Sequence, residues 1–324
     1  MFFSEETLDD LMNEVLRLLL NQPFTVQTSR GNSSEVTGIL LHLKNPRARL
    51  SRTETKGRPF SALGELLWYL SKDNDLDFIV YYLSRYNKES DDNKTIYGGY
   101  GPRLFNLRGQ INQVANVIKL LKKKPNTRRA VIQLFDGEDI ESNHKEIPCT
   151  CTLQFFIRSN RLDMFATMRS NDAYMGLPHD IFAFTMLQEI IARTLDVELG
   201  EYKHAVGSLH LYELDKGKAQ QYLNEGFQST KNVMPDMPLG NPWNSIKAVL
   251  LGEARIRSNQ EFNESEYNLD HYWCDLIRIL RIYSKYKLSD HDAIRVIQQE
   301  MVNPIYNTYI DKRLVNLQDM SNKD

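Results

Sequence analysis

Cysteine is scarce in this chain. Cys149, Cys151 and Cys274 are the whole complement in 324 residues, an odd and sparse set that gives no disulfide framework and points to reduced thiols in a cytoplasmic setting. A metal site built on Cys149, Cys151 and His144 would need a second Cys or His pair at finger or ribbon spacing, which the sequence lacks, so no metal is expected. An excess of one charge is missing too. Forty Lys and Arg against 42 Asp and Glu leave a formal net charge of -2, so the surface offers no polycation for nucleic acid or anionic lipid, and any anion has to be bound locally. No apolar run approaches the roughly 20 residues that span a bilayer. Met1-Phe2-Phe3-Ser4-Glu5-Glu6 has no basic flank before such a run, so no secretory leader or membrane partner is expected. Internal repeats, low-complexity tracts and a Gly/Pro-rich linker are also absent, and one domain over 1–324 is expected.

What is present is ordinary globular composition, 41% apolar and 25% charged, in α+β order. Residues 5–20 carry Leu8, Leu11, Met12, Val15, Leu16, Leu18 and Leu19 at helical spacing, with Thr7 and Asp10 placed to cap the start. Thr25 to Arg30 reads as a strand entering a turn-rich loop at Gly31-Asn32-Ser33-Ser34, which sets Arg30 at a loop entrance, and Thr37 to Leu43 reads as the next strand. Phe60 to Leu70 is an apolar helix interrupted by Glu65, a carboxylate that either faces water or lies hydrogen-bonded at a cavity. Gly98-Gly99-Tyr100-Gly101-Pro102 reads as a tight loop before a helix near Gln110 to Lys123, with Ile111, Val114, Val117, Ile118 and Leu121 inward. Strands follow at Ala130 to Phe135, Thr150 to Ile157 and Leu162 to Met168, the last two joined by a turn at Arg158-Ser159-Asn160-Arg161. Pro178 opens a helix that runs through Ile181 to Leu195; His204 to Leu211 is a strand and Ala219 to Glu225 a helix. Beyond Thr230 the pattern weakens through Pro235, Pro238 and Pro242 and recovers at Tyr272 to Tyr286, so 260–324 reads as a helical C-terminal extension whose residues 288–324 form a polar, frayed tail.

The chemistry concentrates in Pro148-Cys149-Thr150-Cys151-Thr152-Leu153-Gln154-Phe155, followed by Arg169-Ser170-Asn171-Asp172 and Leu177-Pro178-His179-Asp180. An isolated cysteine is more often an inert core thiol. Beside guanidinium groups, however, a thiol's pKa falls toward working pH and the thiolate becomes a strong nucleophile, able to attack an electron-poor ring. Cys151, two residues along the same strand, should point the same way as Cys149 and serve packing.

In their order from about Arg30 to about Tyr212, these motifs resemble the thymidylate synthase family of pyrimidine nucleotide C5-modifying enzymes. The resemblance implies a single domain with a mixed β-sheet packed by helices, dimerising through the sheet, and 5,10-methylene-tetrahydrofolate as the one-carbon donor. It makes Cys149 the nucleophile and places Glu65, Tyr100 and Asp172 beside it as catalytic residues. Arg30, Arg169 and Ser170 would hold the nucleotide phosphate, Arg128 and Arg129 would reach the partner subunit's site, and His210 and Tyr212 would hold the sugar hydroxyl. The chemistry is coherent: thiolate addition at C6 turns C5 into a carbon nucleophile, and the same guanidiniums fix the phosphate.

One departure bears on the base. Where a uracil-specific member shows Pro-Phe-Asn, this chain has Pro178-His179-Asp180. An asparagine accepts from uracil N3–H and donates to O4, whereas an aspartate suits cytosine, accepting from N4 and sharing a proton with N3. Asp180 just inside a helix start also serves as a dipole partner. Two further departures, Thr150 where a histidine is usual and the lack of tryptophan in 76–95, suggest a methylene pocket open to water. The expectation is therefore C5-hydroxymethylation of CMP or dCMP by a homodimer. The rivals are dUMP methylation, cytidylate methylation, and a nucleotide- or RNA-binding regulator without turnover.

Overall fold

The computed structural model describes residues 1–321 other than 29, 52–58, 228 and 232. In chain order the elements are β1 (Phe2–Glu5), α1 (Leu8–Leu20), β2 (Val26–Thr28), β3 (Gly31–Leu43), α2 (Pro59–Leu70), α3 (Leu76–Tyr82), α4 (Tyr100–Phe105), α5 (Gln113–Lys123) and β4 (Val131–Gln133). There follow β5 (Thr150–Arg158), β6 (Arg161–Asp172), α6 (Leu177–Leu195), β7 (Glu198–Tyr212), α7 (Lys216–Asn224), α8 (Trp243–Arg257), α9 (His271–Lys287), α10 (His291–Glu300) and α11 (Asn307–Ser321).

Several local signals act where the sequence sets them. Thr7 accepts from the Asp10 amide at 3.1 Å and opens α1. Ser159 and Asn160 both take positive φ, 47° and 58°, the backbone of a two-residue hairpin turn that matches strand twist. The residues Gly31 to Ser34 do not form a loop, as their turn-prone composition suggests, but the start of β3. Ser33 pairs with Val26 on one side and with Tyr212 on the other, and two ladders outweigh weak strand propensity. Arg30 therefore sits in the tight β2–β3 turn. Tyr100 likewise is not in a loop but begins α4. Gly101 permits this, since a Cβ there would stand 2.3 Å from the Asp73 carbonyl oxygen.

The sheet runs β1-β3-β7-β6-β5-β4, with β2 alongside β3. β1–β3 and β6–β7 are parallel and the other pairs antiparallel, so the sheet is mixed. Its strands alternate. Leu153, Phe155, Ala166 and Leu209 are fully buried on the face that packs helices, while Gln154, Phe156, Phe165, Thr167, Lys203 and Ala205 stay half-exposed on the other. α2 is buried along its entire length and α6 over most of its own. No described helix is long and apolar enough to cross a membrane.

The C-terminal part departs most from expectation. α8 was not legible, and the described residues after 288 are not a frayed tail: Ile294, Ile297, Tyr306 and Ile310 of α10, α11 and the turn between them are buried in the common core. Conversely Ile111, expected inward, is 41% exposed because α5 begins two residues after it.

Candidate active site

A cavity of about 340 Å³ opens where α2, α4, the N-terminus of α6 and the ends of β6 and β7 converge. The fold brings to it Cys149, Glu65, Tyr100, Arg30, Arg169, Ser170, Asp172, Asp180, His210 and Tyr212. Arg128 and Arg129 do not line it; both are exposed. Cys151 is also outside it, because an irregularity between Thr150 and Thr152 breaks the alternation that would have aimed both cysteines alike.

Cys149 lies one residue before β5, where its carbonyl accepts from the Arg169 amide at 2.8 Å. The Arg169 guanidinium is fixed by the Pro148 and Ile147 carbonyls, at 2.9 and 3.1 Å, and approaches the Cys149 sulfur to 3.7 Å. These contacts do not give a ready thiolate. Burial pushes the Cys149 thiol up to about 11 and outweighs Arg169, with the carboxylates of Glu146 and Asp180 acting in the same direction as burial. The depressed thiol pKa expected from the sequence is thus corrected: desolvation wins.

Asp180, in the first turn of α6, accepts from Asn171 Nδ2 at 2.7 Å. Burial and then the Glu65 charge push its carboxyl up to about 8, so it carries a proton in about nine molecules of ten at pH 7. Glu65 itself is buried and accepts from the Tyr86 hydroxyl at 3.2 Å, which settles the choice between solvent and cavity. Asp172 accepts from the Tyr174 and Met175 amides at 2.9 and 3.0 Å, and so shapes the turn into α6 while lining the cavity. The Tyr100 hydroxyl donates to Thr150 Oγ1 at 2.9 Å and accepts from its amide at 3.1 Å. Thr150 is fully buried and does not line the cavity, so it positions Tyr100 and does not open a pocket to water. Arg30 is ion-paired with Glu89, and the His210 and Tyr212 rings meet edge to face at 4.9 Å.

Sequence reasoning missed several lining groups. Trp68 and Tyr86, with ring centroids 5.6 Å apart, form an aromatic wall; the tryptophan comes from α2 and not from 76–95. Arg85 lies beside Tyr86 and faces the Glu65 and Asp172 charges. Glu146, two residues before Pro148, is pushed up to about 7 by burial and by Glu89. A charge next to the Pro-Cys pair was the available signal for it.

Residues 52–234 match the family described as thymidylate synthase. The chain is 30% identical over 230 residues to a deoxyuridylate hydroxymethyltransferase of Bacillus phage SP01, covering 66% of this chain and 60% of that protein. It is 34% identical over 165 residues to one of Pseudomonas phage M6, covering 49% and 46%, and 28% over 231 residues to one of Delftia phage PhiW-14, covering 66% and 62%. The matched stretch thus spans between about half and three fifths of these relatives' own length.

Proposed function

The chain belongs to the thymidylate synthase family, and from that premise we propose that it is a folate-dependent C5-hydroxymethyltransferase acting on a cytidine monophosphate, CMP or dCMP. The observation that carries the choice of base is a buried carboxyl, Asp180, in the cavity that also holds Cys149. A protonated carboxyl gives cytosine N3 a donor and N4 an acceptor; the ionised form accepts from both N3–H and N4–H of a ring protonated at N3. Against uracil, an Asp180 oxygen held as acceptor opposite position 4 sets an acceptor against O4, which lowers the preference by about one to two decades.

Cys149 Sγ, its proton lost, forms the bond to C6; C5 gains a bond to the one-carbon unit as that unit's bond to its carrier nitrogen breaks, and C5 loses its proton; water then adds to that carbon and gives up a proton as the S–C6 bond breaks and the thiolate returns. 5,10-methylene-tetrahydrofolate would supply the carbon and leave as tetrahydrofolate. The residues fit such a group: Trp68 and Tyr86 would pack on its ring, and Trp68 Nε1, buried without a partner among the described residues, would meet one of its acceptors. Glu65, held by Tyr86, moves protons at C5 and at the entering water. Arg169 stabilises sulfur as it gains and loses charge and, with Ser170 and Arg30, holds the phosphate. Arg30 must exchange Glu89 for it. His210 and Tyr212 take the sugar.

A second reading, deoxyuridylate hydroxymethylation, is favoured by the names of the relatives. Mass analysis of products from a mixture of CMP, dCMP, UMP and dUMP with methylene-tetrahydrofolate separates the two. The expected product is 5-hydroxymethyl-cytidylate, without dihydrofolate, lost in Cys149→Ala and shifted toward uridylate in Asp180→Asn. Hydroxymethyl-uridylate as the main product of the wild type overturns the proposal.

A further inference from the structure

A protonated carboxyl has one weakness as a reader of bases. By moving its proton from one oxygen to the other it presents donor and acceptor in either order, and so accommodates cytosine or uracil alike. The neighbourhood of Asp180 removes that freedom. Asn171 Nδ2 reaches Asp180 Oδ2 at 2.7 Å, Asn171 Oδ1 lies 3.0 Å from His204 Nε2, and His204 Nδ1 lies 2.6 Å from the Tyr202 hydroxyl. Tyr202 and His204 are fully exposed to none of the solvent, both at 0%, and Asn171 is 3% exposed.

Such a chain has two self-consistent directions. In one, Tyr202 O–H donates to His204 Nδ1, His204 Nε2–H to Asn171 Oδ1, and the Asn171 amide to Asp180 Oδ2. In the other, every bond reverses, the Asn171 amide is flipped, and the Tyr202 proton has to point elsewhere. Elsewhere holds nothing: among the described residues the Tyr202 hydroxyl has no partner but His204. A buried hydroxyl proton left alone is costly, so the first direction is selected. His204, held neutral by burial with its pKa lowered to about 3, has the one donor and one acceptor the chain requires.

We infer that Tyr202, through His204 and Asn171, fixes Asp180 Oδ2 as an acceptor and confines the carboxyl proton to Oδ1, so that the site presents donor and acceptor to the base in one order only. Asn171 is then a specificity-determining positioning residue, although it need not touch the base. For a cytidylate enzyme Oδ1 faces N3 and Oδ2 faces N4. The inference rests on the reading of Asp180 as the group that meets the base.

The test is the selectivity ratio, kcat/KM for dCMP over that for dUMP or its inverse, in the wild type, Asn171→Ala and Tyr202→Phe. A purely structural loss scales both substrates together. Fixing of the proton predicts that the ratio moves toward one, by about tenfold or more in Asn171→Ala and about threefold or more in Tyr202→Phe. Ratios within twofold of wild type in both variants overturn the inference. The base preferred by the wild type judges the proposed function separately, because relaxation toward one supports the fixing whichever base leads. Nitrogen NMR of the folded wild type with labelled histidine adds a readout free of turnover: His204 protonated at Nε2 is expected, and protonation at Nδ1 overturns the inference.

Discussion

At the level of single residues, burial favours the protonated forms of Cys149 and Asp180. With its pKa near 11, Cys149 exists as thiolate in on the order of one molecule in 10⁴ at pH 7. Alkylation of the ligand-free protein by iodoacetamide, followed at Cys149 by mass spectrometry, should rise with pH to a midpoint near 11. Glu146 adds negative charge beside the thiol and Arg169 positive charge, so Glu146→Gln should speed alkylation at pH 8 and Arg169→Leu should slow it; unchanged rates in both would remove the electrostatic account. Asp180 gives a stability test. Its carboxyl titrates near 8 in the folded chain against 3.8 ordinarily, so between those values folding holds a proton that the unfolded chain releases, and stability is lost as pH rises from about 4 to about 8. Asp180→Asn should therefore match the wild type in Tm near pH 4 and exceed it in stability at pH 8, by up to about 5 kcal/mol for a rise from 3.8 to about 8. A pH-independent difference would show that the carboxyl is not held protonated. The residue types of the site were readable, because Cys149, Arg169 and Asp180 stand in short ordered motifs; their protonation was not, because it depends on burial and on Glu146, which no motif marks.

At the level of elements, the helix that carries Glu65 is supported from the far end of the chain. α2, which carries Glu65, packs on α9, where Phe60 and Tyr283 stack with centroids 6.0 Å apart. α3 is held there too, as the Tyr82 hydroxyl donates to Glu253 at 2.9 Å, with Glu253 paired to Arg257 of α8. α10 and α11 close the group, and the Tyr309 hydroxyl of α11 donates to the Ser51 carbonyl ahead of α2. Legibility follows the same division. α1, α6 and the β5–β6 hairpin were readable from apolar spacing and turn residues. α8, α10 and α11 were not, since their buried sides are narrow, such as Ile294 and Ile297 of α10, and the residues around them are polar. A chain ending after Lys287 tests the point. A frayed tail would be removed without effect, but loss of several buried isoleucine and tyrosine side chains, each worth about 2–5 kcal/mol, should abolish the cooperative thermal transition and expose apolar surface to dye.

At the level of the whole molecule, the sheet is covered by helices on one face and carries Phe156, Phe165 and Thr167 half-exposed on the other, a surface that a second copy of this chain would cover. The Arg128 carbonyl accepts from Gln154 of that open face at 2.9 Å, while the arginine side chain stays outside its own cavity. We therefore expect a homodimer in which Arg128 and Arg129 complete the partner's phosphate site. Light scattering should give twice the 37.8 kDa of the chain. The sharper measurement is complementation. Cys149→Ala homodimers lack the nucleophile, and Arg128→Ala/Arg129→Ala homodimers lack the phosphate contacts, so each should be nearly inactive. In a hybrid, the site with intact Cys149 would draw both arginines from the Cys149→Ala subunit and be whole. Random mixing by co-expression makes half the dimers hybrid with one whole site each, so about a quarter of wild-type activity should return. Were the arginines to serve their own subunit, every site in every hybrid would lack either sulfur or arginine, and mixing would restore nothing.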